Sequence, residues 1–151
     1  MTGEELETIL RERWLELIKS FNLSTAANGE NRAYVSGPNL LLQIFATRDG
    51  VDITYIDRDQ PTLPLYSINS LMLRARRDRL VLVPAEPRNT SFYDYVRLQL
   101  DVLARHLSRA GTDVLRGERG WMTEHGPSRA DASADIRAFL NGAHTFRPVD
   151  A

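Results

Sequence analysis

The chain has 151 residues, of which 42% are hydrophobic and 26% charged, with no cysteine and a formal net charge of −1. That size and composition are those of one ordinary domain, which buries roughly 70% of its unfolded surface without help from metal or disulfide. Absence of cysteine excludes disulfide scaffolds, thiolate-bound zinc and thiol nucleophiles, and near-neutrality gives no whole-chain indication of nucleic acid.

The first predicted element is an amphipathic helix over residues 2–21. Thr2 and Glu5 have the spacing of a capping box. Leu6, Ile9, Leu10, Trp14, Leu17, Ile18 and Phe21 then recur at helical spacing, with charged residues off that stripe. Residues 24–31 are small and polar and read as a loop. Residues 33–35 form a short strand candidate, closed by a turn at Ser36-Gly37-Pro38-Asn39. Leu40 to Ala46 is an apolar run interrupted only by Gln43, as a central strand requires. Asp49-Gly50 is a hairpin signal, because both residues tolerate positive φ. Val51, Ile53 and Tyr55 alternate with Asp52 and Thr54, the pattern of a half-buried strand.

Beyond this meander, the prolines and aspartates of residues 57–64 predict that the sheet stops. Ser67 can cap a helix with Ile68, Leu71, Met72 and Ala75 on one side. Leu80 to Val83 reads as a fourth strand or a helix tail, ended by Pro84 and Pro87. Ser91 caps a helix running to about Ala110, with Gly111 placed to end it. A last helix holds Ile136, Phe139 and Leu140, and the tail from about Ala143 is predicted to fray. The expected fold is a single α+β domain over residues 1–151. It has an antiparallel meander of three to four strands, packed on one face by the N-terminal helix and two to three C-terminal helices.

Two charged clusters are candidate binding surfaces. Asp52, Asp57 and Asp59, with Tyr55, offer carboxylates and a hydroxyl at a strand end to a basic protein partner. Arg74, Arg76, Arg77 and Arg79 form the opposite patch, a candidate site for phosphates or other anions. No aromatic is interleaved with these arginines and Asp78 interrupts them, so nucleic acid is disfavoured. Eighteen of the nineteen basic residues are arginine, which lowers the weight of any one of them. His106, His125 and His144 have no metal-ligand spacing, and no nucleophile elbow, P-loop or dinucleotide motif is present. No cofactor and no catalytic residue is therefore expected, and an enzyme would need a site assembled from sequence-distant residues.

Leu63-Pro64-Leu65-Tyr66-Ser67-Ile68 and Thr112-Asp113-Val114-Leu115-Arg116-Gly117-Glu118, followed by Trp121, form a pair of motifs after the Tyr55-Ile56-Asp57 strand end. In that order, over about residues 51–122, they resemble small bacterial immunity-type α+β proteins. The resemblance implies a non-enzymatic protein that binds a cognate toxin domain and blocks it; it supplies no site residue. With an acidic N-terminus and no apolar signal core or membrane-length run, the expectation is a soluble cytoplasmic protein. A homodimer through an exposed sheet edge is compatible with this reading.

Overall fold

The computed structural model describes residues 1–80 and 90–149. Residues 81–83, expected with Leu80 as a strand or helix tail, lie outside the described residues, as do the terminating prolines. The fold is mixed α+β. Its sheet has six antiparallel strands in the order β5-β4-β3-β2-β1-β6: β1 Ser24–Asn28, β2 Arg32–Gly37, β3 Leu40–Thr47, β4 Gly50–Ile56, β5 Leu65–Ser67 and β6 Arg147–Pro148. The helices are α1 Gly3–Arg13, α2 Leu15–Ser20, α3 Ile68–Ser70, α4 Phe92–Ala110, α5 Thr112–Leu115 and α6 Ala134–Asn141.

The expected N-terminal helix forms, but in two pieces that meet at Trp14. Its capping box closes as predicted, with Thr2 N donating to Glu5 Oε1 and Glu5 N to Thr2 Oγ1. The Trp14 indole is completely buried and donates to the Leu100 carbonyl, tying the N-terminal segment to α4. Ser91 caps α4 through the Asp94 amide, and the helix runs to Ala110 as expected.

Three or four strands were expected, and six are present among the described residues. Residues 24–28, expected as loop, pair with β2 over their whole length. Their small side chains carry little strand signal; pairing and the packing of α1 against them decide the outcome. The sheet does not stop after β4, because the chain turns through residues 57–64 and returns as β5. The tail, expected to fray, adds β6 against Ser24 and Thr25. Arg11 holds it by donating to the carbonyls of Arg147 and Pro148, and Arg147 reaches the buried Glu7 carboxylate at 2.7 Å. The β3–β4 hairpin forms one residue out of the expected register. Arg48 and Asp49 make the turn, Gly50 already pairs with Thr47, and only Gly50 has positive φ.

Alternation along the strands divides the core between two faces. Ala33, Val35, Leu42, Ile44, Ile53 and Tyr55 pack against α1, α2 and α4 on one face. Tyr34, Leu41, Ile56 and Leu65 point to the other, where α6 covers them with Ile136 and Phe139. The rings of Tyr34 and Phe139 stack at 3.8 Å. Helices thus lie on both faces rather than on one, because β2 and β3 are apolar on both pleats.

Candidate functional site

The site lies at one corner of the sheet, where the end of β4, the start of β3 and the segment 117–121 converge. Gly117 makes this convergence physically possible. Its φ is +79°, and a Cβ there would sit 2.1 Å from the Pro38 carbonyl oxygen. Only glycine allows both the left-handed backbone and that contact with the β2–β3 turn. Trp121 follows, 1% exposed, with its ring edge-on to Tyr55 at 4.9 Å and Tyr66 at 5.2 Å.

This approach delivers Arg119 to Asp57. The guanidinium grips the carboxylate with two parallel hydrogen bonds, Nη1 to Oδ1 at 3.1 Å and Nη2 to Oδ2 at 2.9 Å. Asp57 is completely buried, and the Asp59 amide also donates to Oδ1. Burial pushes the Asp57 carboxyl up, but the Arg119 hydrogen bonds and the Asp59 amide together hold it below its ordinary value. Tyr55 shifts the opposite way: burial raises its phenol, despite Arg119 nearby. Its hydroxyl donates to the Asn39 carbonyl at 3.1 Å. Around these fixed groups is a recess of about 350 Å3, lined by Asn39, Tyr55, Ile56, Arg58, Asp59 and Arg119. Asp59 stands at its rim, 68% exposed, with Oδ2 3.2 Å from Arg119 Nη1. Arg58 reaches across to the Leu40 carbonyl.

The four residues expected to share one acidic surface are therefore separated. Asp57 does not project into solvent but is the buried anchor, and Tyr55 is 2% exposed with only its hydroxyl at the recess. Asp52 is exposed as expected, but it points to the opposite sheet face, roughly 16 Å back along β4. Of the four, Asp59 alone presents an exposed carboxylate here, with one oxygen on Arg119. Arg58 and Arg119 were missed by sequence reasoning. A partner 62 residues away leaves no local trace, and Arg119 falls in the gap between the motif ending at Glu118 and Trp121.

The arginine cluster also divides. Arg74, Arg77 and Arg79 are exposed, but Arg76 is 3% exposed and is not available to an anion. Its five N–H groups are all used: Nη1 and Nη2 bind Asp113 at 2.6 and 2.7 Å, Nε and Nη2 bind Glu124, and Nη1 also donates to the Ala110 carbonyl. These carboxylates raise its already high pKa further. Among the described residues, no three histidine or acidic side chains are grouped to hold a metal ion, and no helix is long and apolar enough to cross a membrane. No family model, curated protein or solved structure matches the chain.

Proposed function

We propose that this chain is a non-catalytic protein-binding module, of the immunity type that blocks a toxin domain by covering it. The observation that carries the reading is the buried Asp57–Arg119 pair, which holds Asp59 and the Tyr55 hydroxyl at a shallow recess where Arg58 is bonded to the Leu40 carbonyl. A preorganised rim carrying both signs of charge suits recognition of a partner's side chains, because ordering costs are met before binding. The electrostatics favour binding over chemistry at this corner. A general acid or base works best with a pKa near neutrality, whereas here the carboxyl is driven down and the phenol up. Asp59 would meet a basic group of the partner and Arg58 an acidic one. Gly117 and Trp121, two of the residues in the motifs that carry the immunity-type resemblance, help build this corner.

The test is affinity capture from a lysate of the native host with the full chain as bait, followed by titration of the captured protein. A stoichiometric protein partner is expected, with affinity falling roughly tenfold or more in the double reversal Arg58→Glu, Asp59→Arg. An empty capture, recovery of nucleic acid alone, or a partner indifferent to the reversal would sink the proposal.

A further inference from the structure

Away from that corner, the β1 side of the sheet carries a receptor built from α1. Glu7 is buried, 3% exposed, and its carboxylate accepts one hydrogen bond from the Thr25 hydroxyl and one from the Arg147 guanidinium, both at 2.7 Å. Arg147 is its one ion-pair partner among the described residues. Arg11, one turn later on α1, bonds the backbone of β6 rather than its side chains. Its Nη1 donates to the Arg147 carbonyl and the Thr25 hydroxyl, and its Nη2 to the Pro148 carbonyl. Arg11 therefore reads an extended backbone whatever its sequence, and Glu7 reads a basic side chain on it. These are the two ingredients of recognition by strand addition, main-chain bonds for affinity and a side-chain contact for specificity.

The resident segment uses only part of this edge. β6 pairs with Ser24 and Thr25 alone, and both of its residues are exposed. It leaves β1 at Phe146, which turns with His144 to pack on Phe139 of α6, with ring centroids at 6.1 and 4.5 Å. Among the described residues no strand lies beyond Ala26, Ala27 and Asn28 on that side, and a recess of about 330 Å3 lies at Asn28, bounded by Arg32, Asp135 and Gly142. Departure of β6 does not isolate the Glu7 charge. Arg11, freed from two carbonyls, lies four residues further along α1, the favoured spacing for an acid–base pair on one helix. We propose that this edge binds an extended, arginine-bearing segment of another protein as an added antiparallel strand, with Arg147-Pro148 as the resident stand-in. Continuing the β6 register sets five residues opposite Asn28 to Ser24, with the arginine fourth, opposite Thr25. Five paired residues replace two, and the arginine meets the same carboxylate. The inference goes beyond the toxin-binding reading and does not rest on it, since the recess of that reading lies at the end of β4.

Fluorescence anisotropy of the full chain with the labelled peptide Thr-Val-Thr-Val-Arg-Pro-Val tests this. The peptide keeps the Arg-Pro-Val of the tail and replaces the residues that stack on Phe139 with strand formers. Because the resident segment competes, the chain carrying Arg147→Ala should bind the peptide more tightly than wild type by roughly tenfold or more. A peptide with alanine in place of arginine should bind that variant more weakly by roughly tenfold or more, and adding Glu7→Gln should remove the difference between the two peptides. Binding to Arg147→Ala that is absent or no tighter than to wild type, the two peptides bound alike, or a preference that survives Glu7→Gln overturns the proposal. Circular dichroism checks that each variant folds; if one does not, wild type is followed by two-dimensional NMR with the arginine peptide in excess. Amide shifts are then expected at residues 24–28, and their absence is decisive against.

Discussion

A buried carboxylate is tolerable only when its lost hydration is replaced, and Arg119 with the Asp59 amide replaces it at Asp57. Arg119→Met removes the fork and leaves the charge buried. Because the guanidinium is itself 37% exposed, water recovers part of the loss, and a cost of about 2–3 kcal/mol in chemical denaturation is expected. Adding Asp57→Asn should return part of that loss. A double-mutant cycle that shows no coupling between the two positions would mean that the pair does not hold the corner together. The prediction reaches the recess as well, since releasing Arg119 frees Asp59 and the Tyr55 hydroxyl from their shared partner.

Among the elements, the segment after α3 departs most from its expected form. Ser67 caps it as predicted, and Ile68, Leu71 and Met72 are buried as predicted. Ala75, expected on the same side, is exposed, because residues 71–75 make a π-helical turn. A π turn holds one extra residue in each hydrogen-bonded ring, so the side chains after it rotate relative to a regular helix. That rotation turns Ala75 out and brings Arg76 in, onto Asp113 and Glu124. The end of α4, α5 and the turn at Gly120–Thr123 are pinned to one guanidinium. Arg76→Ala should cost about 3–5 kcal/mol by urea unfolding, as two carboxylates and a carbonyl lose their donor. Arg76→Lys should remain well below wild type, because an ammonium cannot make the planar fork. Full recovery by lysine would refute the geometric account.

Over the whole molecule, the sheet ends on β5 at one side and on β6 at the other. Leu65 in β5 is bonded by the Ser128 amide and to the Arg129 carbonyl, and β6 lies on β1. The buried pairs also set the response to acid. Burial raises the carboxyls of Asp57 and Asp113, but hydrogen bonds from Arg119 and Arg76 outweigh it and leave both lowered; at Glu124 the Arg76 hydrogen bond lowers the carboxyl against a smaller burial effect. Each group therefore binds its proton more weakly folded than unfolded. Their contribution is complete above the unfolded value of about 4 and disappears as pH falls through the folded values. Unfolding free energy should decline below about pH 4, and the slope should be shallower in Asp57→Asn than in wild type. Equal slopes in the two proteins would show that Asp57 is not a source of the acid sensitivity.

Much of this fold was legible as local pattern. The capping box, the Ser91 cap, the buried stripe through Trp14 and the β2–β3–β4 meander all follow from periodicity and end-group chemistry that neighbouring residues carry. Three strands were not legible. β1 is made of small residues, three of them polar and two alanine, β5 has three residues and β6 two, so each exists through its neighbour in the sheet. The fate of the charges was equally closed to sequence reading. Asp57 and Asp59 differ by two positions, yet one is buried and the other stands at the rim; Arg76 and Arg77 differ by one. Local sequence decides which residues want a helix or strand, because caps and apolar spacing act within a few residues. Which charge is buried depends on whether a partner some 40 to 60 residues away is folded against it, and only the tertiary structure brings the two together.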